Sequence, residues 1–407
     1  MSIDPVRAPS RREFLAAAAC APFASALPLR WLPGADDRTL VVLELAGGND
    51  GLNTVIPIED ARWARLRPTL SSVRGAAHRL GEGRFALHPA LAALAKRFDR
   101  GQLAIVHGVG YTPKDRSHFL SRDIWHASDP ALKRVGADTT GWLGRAAEEL
   151  AARGAAIPGA AIGSLRVPLC LRARRLEVPA LSRLEDYSLI VDPAADDPAR
   201  SREALAELAR AGSAHVDLAR VAAAALDQSS QLERALARYR PRASWPEGPA
   251  SRALQLAARV VVSGFGTRLL WVEQGGFDTH ATQAPAHDAL LRQLDASLGA
   301  FLDELELQGA LDRTLVLVHS EFGRRVAENR SQGTDHGAAA PVFVCGGAAL
   351  RGGLHGEAPD LETLDDGDLR CTTSFQAVHA ELLRFLGVDP LRVLGSDFAP
   401  IGFLGAR

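Results

Sequence analysis

Side chains able to bind a metal or move a proton recur in this 407-residue sequence just behind glycine-rich turns. Glu321 follows the run Thr314–His319 at once, beside Arg324, and Asp335 and His336 return between Gly333 and Gly337. Asp278 and His280 stand behind Gly275-Gly276, and Asp50 behind Gly47-Gly48. Aspartate, glutamate and histidine without cysteine form a nitrogen and oxygen ligand set suited to zinc, manganese, magnesium or calcium. An open site of that kind activates water or another oxygen nucleophile. Asp50 taken alone also fits a tight Asn-Asp-Gly turn, where short polar side chains bond the local backbone. Ser117 is a further candidate. If Asp115 caps a helix, Ser117 falls in its first turn, where free N–H groups and the helix dipole favour an anion. A serine there is either a nucleophile or an ordinary helix-start residue. His107, His118, His126, His287, His319 and His355 have no comparable context, and each reads as a structural or surface histidine.

The elements that must deliver these groups alternate in type. Thr314–His319 is a continuous apolar, β-branched run of the kind buried on both faces of a parallel sheet. Segments 38–45 and 268–273 read as further strands, each followed by paired glycines. Between His88 and Asp99 the apolar positions Leu91, Leu94, Ala95 and Phe98 have helical spacing, and 103–107 resumes as a strand. Helices are predicted over 251–262, about 287–307 and 374–386, with a short strand over 341–345. This alternation predicts one dominant α/β domain over about 36–407, with a mainly parallel sheet between helices. Segment 136–190 reads as loop-rich, and about 197–240, dense in alanine, leucine, arginine and glutamate, reads as a helical insertion on the outside. In open α/β sheets the ligand crevice lies beyond the carboxyl ends of the strands. Asp50, Asp278, His280, Glu321 and His336 are therefore predicted to surround one cavity, with Ser117 at its edge.

A hydrophobic content of 47% supports a large core, and a net charge of -1 leaves no basic stripe to follow a nucleic-acid backbone. Cys20, Cys170, Cys345 and Cys371 form no C-x-x-C pair, which argues against a cysteine metal site. Once the N-terminus is removed, three cysteines leave at most one disulfide, its pairing open. Ser10-Arg11-Arg12-Glu13-Phe14-Leu15, followed by the alanine-rich run Ala16–Leu29, resembles a twin-arginine export signal. Segment 1–35 is thus an address, with Ala24-Ser25-Ala26 as a small-x-small cleavage site and Cys20 as a minor, lipoprotein-like option. Such signals imply the twin-arginine machinery as a partner and delivery of an already folded chain. No other long apolar run spans a bilayer, so the mature chain is expected in the periplasm or outside the cell.

Leu45-Ala-Gly-Gly-Asn-Asp-Gly-Leu-Asn53, Arg116-Ser-His-Phe119, Gly275-Gly-Phe-Asp-Thr-His280, Ser320-Glu-Phe-Gly-Arg324 and Gly333-Thr-Asp-His-Gly337 together resemble the exported bacterial family DUF1501. That family is similar in layout to the alkaline phosphatase and sulfatase superfamily. The resemblance implies an α/β three-layer sandwich with a mainly parallel central sheet, and one or two metals at its carboxyl edge. It implies Asp50, Asp278, His280, Glu321, Asp335 and His336 as the metal region and Ser117 as nucleophile. Phe322 stands where the superfamily has a histidine ligand. The expected function is an exported metal-dependent hydrolase or transferase acting on a phosphate or sulfate ester. Ser117 or metal-bound hydroxide would attack, and Arg116 or Arg324 would clamp the small anionic substrate. The alternative is a non-catalytic periplasmic binding or assembly protein that keeps the fold and a structural metal; Phe322 favours it.

If Arg11 and Arg12 belong to an address, replacing both with lysine blocks export and leaves the mature domain foldable. Cell fractionation checks this, and normal delivery of the double variant contradicts it.

Overall fold

The computed structural model describes residues 38–155, 157–182, 239–264 and 266–405. The expected N-terminal address at 1–35 and nearly all of the predicted helical insertion at about 197–240 lie outside the described residues. In chain order the strands are β1 (Thr39–Leu45), β2 (Val55–Ile56), β3 (His78–Leu80), β4 (Phe85–Leu87), β5 (Leu103–Gly110) and β6 (Gly159–Ile162). They continue with β7 (Ala180–Leu181), β8 (Leu269–Gln274), β9 (Thr314–His319), β10 (Ala340–Gly346), β11 (Gly353–His355) and β12 (Thr373–Ser374).

β1 is buried along its whole length and lies in parallel between β9 and β8. Around it a nine-stranded sheet runs in the order β11, β5, β10, β9, β1, β8, β6, β7, with β12 beside β5. Every pairing is parallel except those of β10, which is antiparallel to both β9 and β5. The mixed α/β architecture with a mainly parallel sheet is the one expected, but the reversed strand was not legible in its apolar run. Its consequence is local. A parallel partner would need a crossover back along the sheet, whereas an antiparallel one re-enters where the chain left. The connection 320–339 therefore stays at the carboxyl edge of β9, and it carries Glu321, Arg324, Asp335 and His336.

Alternation along the strands feeds two cores. Val41 and Leu43 of β1, Val316 and Val318 of β9, and Leu270 and Val272 of β8 pack with the helices Ala92–Asp99, Pro249–Val262 and Gln283–Leu307. Leu40 and Val42, Leu315 and Leu317, and Leu269 and Trp271 face the helices His118–Ala127, Trp142–Ala151 and Phe375–Phe385. Helices on both faces make three layers. The 159–162 segment, read as loop, is a buried strand. A small antiparallel sheet, β2-β4-β3, was also not predicted.

Several histidines are buried in this frame as neutral rings. Burial pushes His107 and His287 down to about 4, with Asp50 partly opposing the shift at His287. His379, stacked on Trp142 at 4.0 Å between centroids, is driven well below the ordinary value, also by burial. Each depressed value means the unfolded chain takes up a proton first as pH falls. The stabilisation is complete above about 6.5 and declines toward pH 4, with ordinary carboxylate losses beginning only lower. Urea midpoints measured in chelator should fall progressively from pH 7.5 to pH 5; equal midpoints across that range contradict the buried neutral histidines.

Candidate metal centre

Beyond the carboxyl ends of β1, β8 and β9, three imidazoles and one carboxylate point at each other. The Nε2 atoms of His280 and His336 lie 2.9 and 3.0 Å from Asp278 Oδ1, and 2.9 Å from one another. His118 Nε2 lies 3.4 Å from Asp278 Oδ2 and has no hydrogen-bond partner although it is buried. One donor atom each from His118, Asp278 and His336 falls within 4.8 Å of the others.

The far side of each ring fixes what the near side offers. His336 Nδ1–H donates to the Arg116 carbonyl at 2.9 Å, and a carbonyl can only accept. His118 Nδ1–H donates to Glu321 Oε1 at 2.7 Å, and His280 Nδ1–H to Asp335 Oδ1 at 3.4 Å. With Nδ1 protonated, each neutral ring turns an Nε2 lone pair toward the Asp278 carboxylate. Lone pairs facing lone pairs and a negative charge repel, and either extra protons or a cation must relieve them. An imidazole whose outer N–H is held by a carboxylate or carbonyl is the arrangement of metal-ligating histidine. Asp278 is held as an anion near 2: burial opposes this, and Arg324 lowers it by hydrogen bond and charge, with His336 and His280 adding to that only when their Nε2 atoms carry the extra protons that stand in for a cation.

Asp278, His280 and His336 are thus brought together as expected, and His118 joins them. Its residue type gave no warning, and the usable signal was its place beside Ser117 at a helix start. Glu321 and Asp335 depart from the expected ligand role. Glu321 is buried behind His118, where it also accepts from Gly47 N–H at 2.9 Å and from the Ser320 hydroxyl at 2.9 Å. Asp335 stands behind His280, its carboxyl held below the usual range by the Asn329 amide, with burial opposing.

The structure corrects the expectation at Asp50. Its carboxylate is fully buried away from the cluster, paired to Arg67 Nη1 at 2.6 Å and accepting from Gln283 Nε2 at 2.5 Å and Asn53 N–H at 3.3 Å. Burial raises its pKa, yet Arg67 leads the charges that bring it below the ordinary value. It caps the short helix Gly51–Thr54, so the turn role prevails.

Both proposed anion clamps are also occupied. Arg324 is buried and donates to the carbonyls of Gly48, Thr334, Gly47 and Phe277 at 2.5, 2.7, 2.5 and 3.0 Å, and to Asp278 at 2.8 Å. Arg116 is paired to Asp368 at 2.7 Å and Asp366 at 3.0 Å. Ser117 is exposed and is itself the N-cap of helix His118–Ala127, so the helix starts two residues later than a cap at Asp115 would place it. Its N–H donates to Asp115 at 2.7 Å, and its hydroxyl makes no cap bond. Phe322 packs its ring 4.8 Å from that of His118 and 4.7 Å from that of His336. Gly48, at φ +67, must lack a side chain because a Cβ would lie 2.3 Å from this ring.

Removing Arg324 leaves several carbonyls without donors and Asp278 without its counter-charge. Arg324→Ala should cost roughly 3 to 5 kcal/mol, and Arg324→Lys, which lacks the planar fork, a large part of that. Denaturant titration checks this; a lysine variant as stable as the parent contradicts the clamp.

No curated protein matches the sequence. Among solved structures, the chain is similar to the C-terminal periplasmic domain of EcEptC from Escherichia coli in complex with Zn. That likeness has 9% identity, covers 77% of this chain and 74% of that one, and has a TM-score of 0.38. The PsFucS1 sulfatase from Pseudoalteromonas sp. is 12% identical, over 93% and 72% of the chains, with a TM-score of 0.38. A protein in the alkaline phosphatase superfamily from Vibrio parahaemolyticus is 10% identical, over 96% and 80%, with a TM-score of 0.37. At these values the likeness carries no argument about chemistry. Residues 86–398 match the model of a family described as "Protein of unknown function (DUF1501)", and the chain belongs to that family.

Proposed function

We propose that this chain is an exported, metal-dependent hydrolase or transferase acting on a phosphate or sulfate ester. The observation that carries the reading is the convergence of three Nε2 lone pairs and an anionic carboxylate, with the buried His118 Nε2 left without a partner. Nitrogen-rich donors fit zinc or manganese better than magnesium or calcium, which prefer oxygen shells. Two ligands about 2.1 Å from one ion are at most about 4.2 Å apart, so small side-chain shifts would close His118, Asp278 and His336 around it, and His280, which stands outside that group, would swing in as a further ligand. When bound, the ion would supply positive charge and Lewis acidity toward an ester oxygen.

The chain's own groups do the rest. Glu321, Asp335 and the Arg116 carbonyl hold the three rings in one tautomer and orientation. Ser117, its hydroxyl outside any cap bond, follows Arg116 and precedes the ligand His118, so it is the nucleophile this arrangement offers. Arg116 and Arg324 are both committed to acids and carbonyls, so charge compensation at the anion would fall to a metal held by the histidines and Asp278.

A second reading has its own support. Phe322 fills the space beside two of the histidines, and among the described residues no uncommitted arginine lines the cluster, which suits a binding protein with a structural metal. One set of measurements separates the two: metal content of the mature protein, and turnover of 4-nitrophenyl phosphate and sulfate with and without chelator. The enzyme reading expects zinc or manganese near one per chain. Asp278→Asn and His336→Ala should lose metal and turnover together. Ser117→Ala should keep the metal while turnover falls on the order of a hundredfold or more, and Glu321→Gln should weaken metal affinity roughly 10- to 100-fold. Bound metal without turnover establishes the binding protein, and a chain that takes up no divalent metal overturns both.

A further inference from the structure

Glu44 is an anomaly of the innermost strand. It is 0% exposed in a run of apolar neighbours, and alternation turns it to the face of Leu40 and Val42, under the helix His118–Ala127. A carboxylate there is costly unless it is matched, and three groups match it. His126 Nε2–H donates to Oε2 at 2.7 Å and Trp271 Nε1–H to the same oxygen at 2.9 Å. Arg122 Nε stands 2.6 Å from Oε1 as an ion pair, out of hydrogen-bond alignment. Apolar residues of the same volume would stabilise the core without these demands.

What the network presents explains its presence. Directly above it lies a cavity of about 440 Å³, within the size range of small-molecule sites. Phe119, Arg122, Asp123 and His126 line it from one face of the helix that begins at the candidate ligand His118. His126 is buried, and with Nε2–H given to Glu44 its Nδ1 carries a lone pair that meets no partner among the described residues. Asp123 makes no ion pair or hydrogen bond among the described residues either, and burial raises its pKa. The cavity thus offers two acceptors without donors. Arg122 reaches across it to Glu273, and the Arg166 side chain at its rim has no partner among the described residues. Phe119 at the mouth is 86% exposed.

We propose that this cavity binds a neutral polyhydroxylated group, the alcohol half of the ester, with His126 Nδ1 and Asp123 accepting its hydroxyl hydrogens. Glu44 is the positioning residue that fixes the His126 tautomer. Hydroxyl groups supply the donors that the two acceptors lack and can accept in turn from Arg166. Phe119 gives the carbon face of such a ligand an apolar wall. An ammonium ligand would meet Arg122 and Arg166, and a purely apolar one would strand His126 and Asp123 without water. Calling the ligand the alcohol half rests on the hydrolase reading, but the binding site does not.

The test is therefore made without turnover and in chelator. The full mature chain, labelled with 15N-histidine, is titrated with myo-inositol and methyl glucoside, with cyclohexanol and choline as comparison ligands, while the His126 ring resonances are followed. A saturable shift is expected with the two polyols and not with cyclohexanol or choline, weakened roughly tenfold in Asp123→Asn, which removes one charged acceptor. Glu44→Gln should change the Nδ1/Nε2 pattern of His126 itself. No saturable shift, equal binding of cyclohexanol or choline, or unchanged affinity in Asp123→Asn overturns the proposal while leaving the metal centre standing. Loss of metal binding elsewhere leaves this result untouched.

Discussion

The guanidinium of Arg324 is the interaction on which the site depends. Its five contacts reach the carbonyls of Gly47 and Gly48 behind β1, Phe277 behind β8 and Thr334 in the return from β9, and the carboxylate of Asp278. Three loops that separate strands deliver to one edge are thereby tied to one planar group. A guanidinium suits the task because it is always charged and projects several donors in fixed directions. It also holds Asp278 as an anion before any cation arrives.

From that clamp the rest of the geometry follows. Strand direction brings the chain to the carboxyl edge, and the reversal of β10 keeps residues 320–339 there. Arg324 gathers the loops, and a carboxylate or carbonyl behind each histidine fixes which nitrogen faces inward. The centre is assembled from outside to inside: Glu321 is bonded to Gly47 and Ser320, so His118 is oriented by the same loop that Arg324 holds. This order explains why the buried pair of Arg67 and Asp50 matters without being a ligand. Arg67 also donates to the carbonyls of Arg325 and Val326, bracing the chain immediately beyond Arg324.

Of the central sheet, β1, β5, β8, β9 and β10 were legible because buried strands are written as continuous apolar runs, whereas the shorter β6, β7, β11 and β12 were not, and Asp278, His280 and His336 were legible because glycine-rich turns marked their strand ends. The remainder depended on partners remote in sequence. Asp50 carries the same local signature as Asp278, and only Arg67 and Gln283 give it another role. His118 looked ordinary because the group that makes it a ligand candidate, Glu321, lies 203 residues away. Arg324 announced a charge, but not that carbonyl oxygens would absorb it. Glu44 passed as one more residue of a strand, since a one-dimensional pattern does not show which face a single carboxylate will meet.

The claim that three histidine Nε2 atoms and Asp278 form one metal site is tested most directly by X-ray absorption at the metal edge of the purified mature protein. The account predicts a first shell of nitrogen and oxygen at about 2.0 to 2.1 Å with the outer-shell scattering of roughly three imidazole rings, and no sulfur. A shell of oxygen alone, a sulfur shell, or a spectrum unchanged by His118→Ala would contradict it.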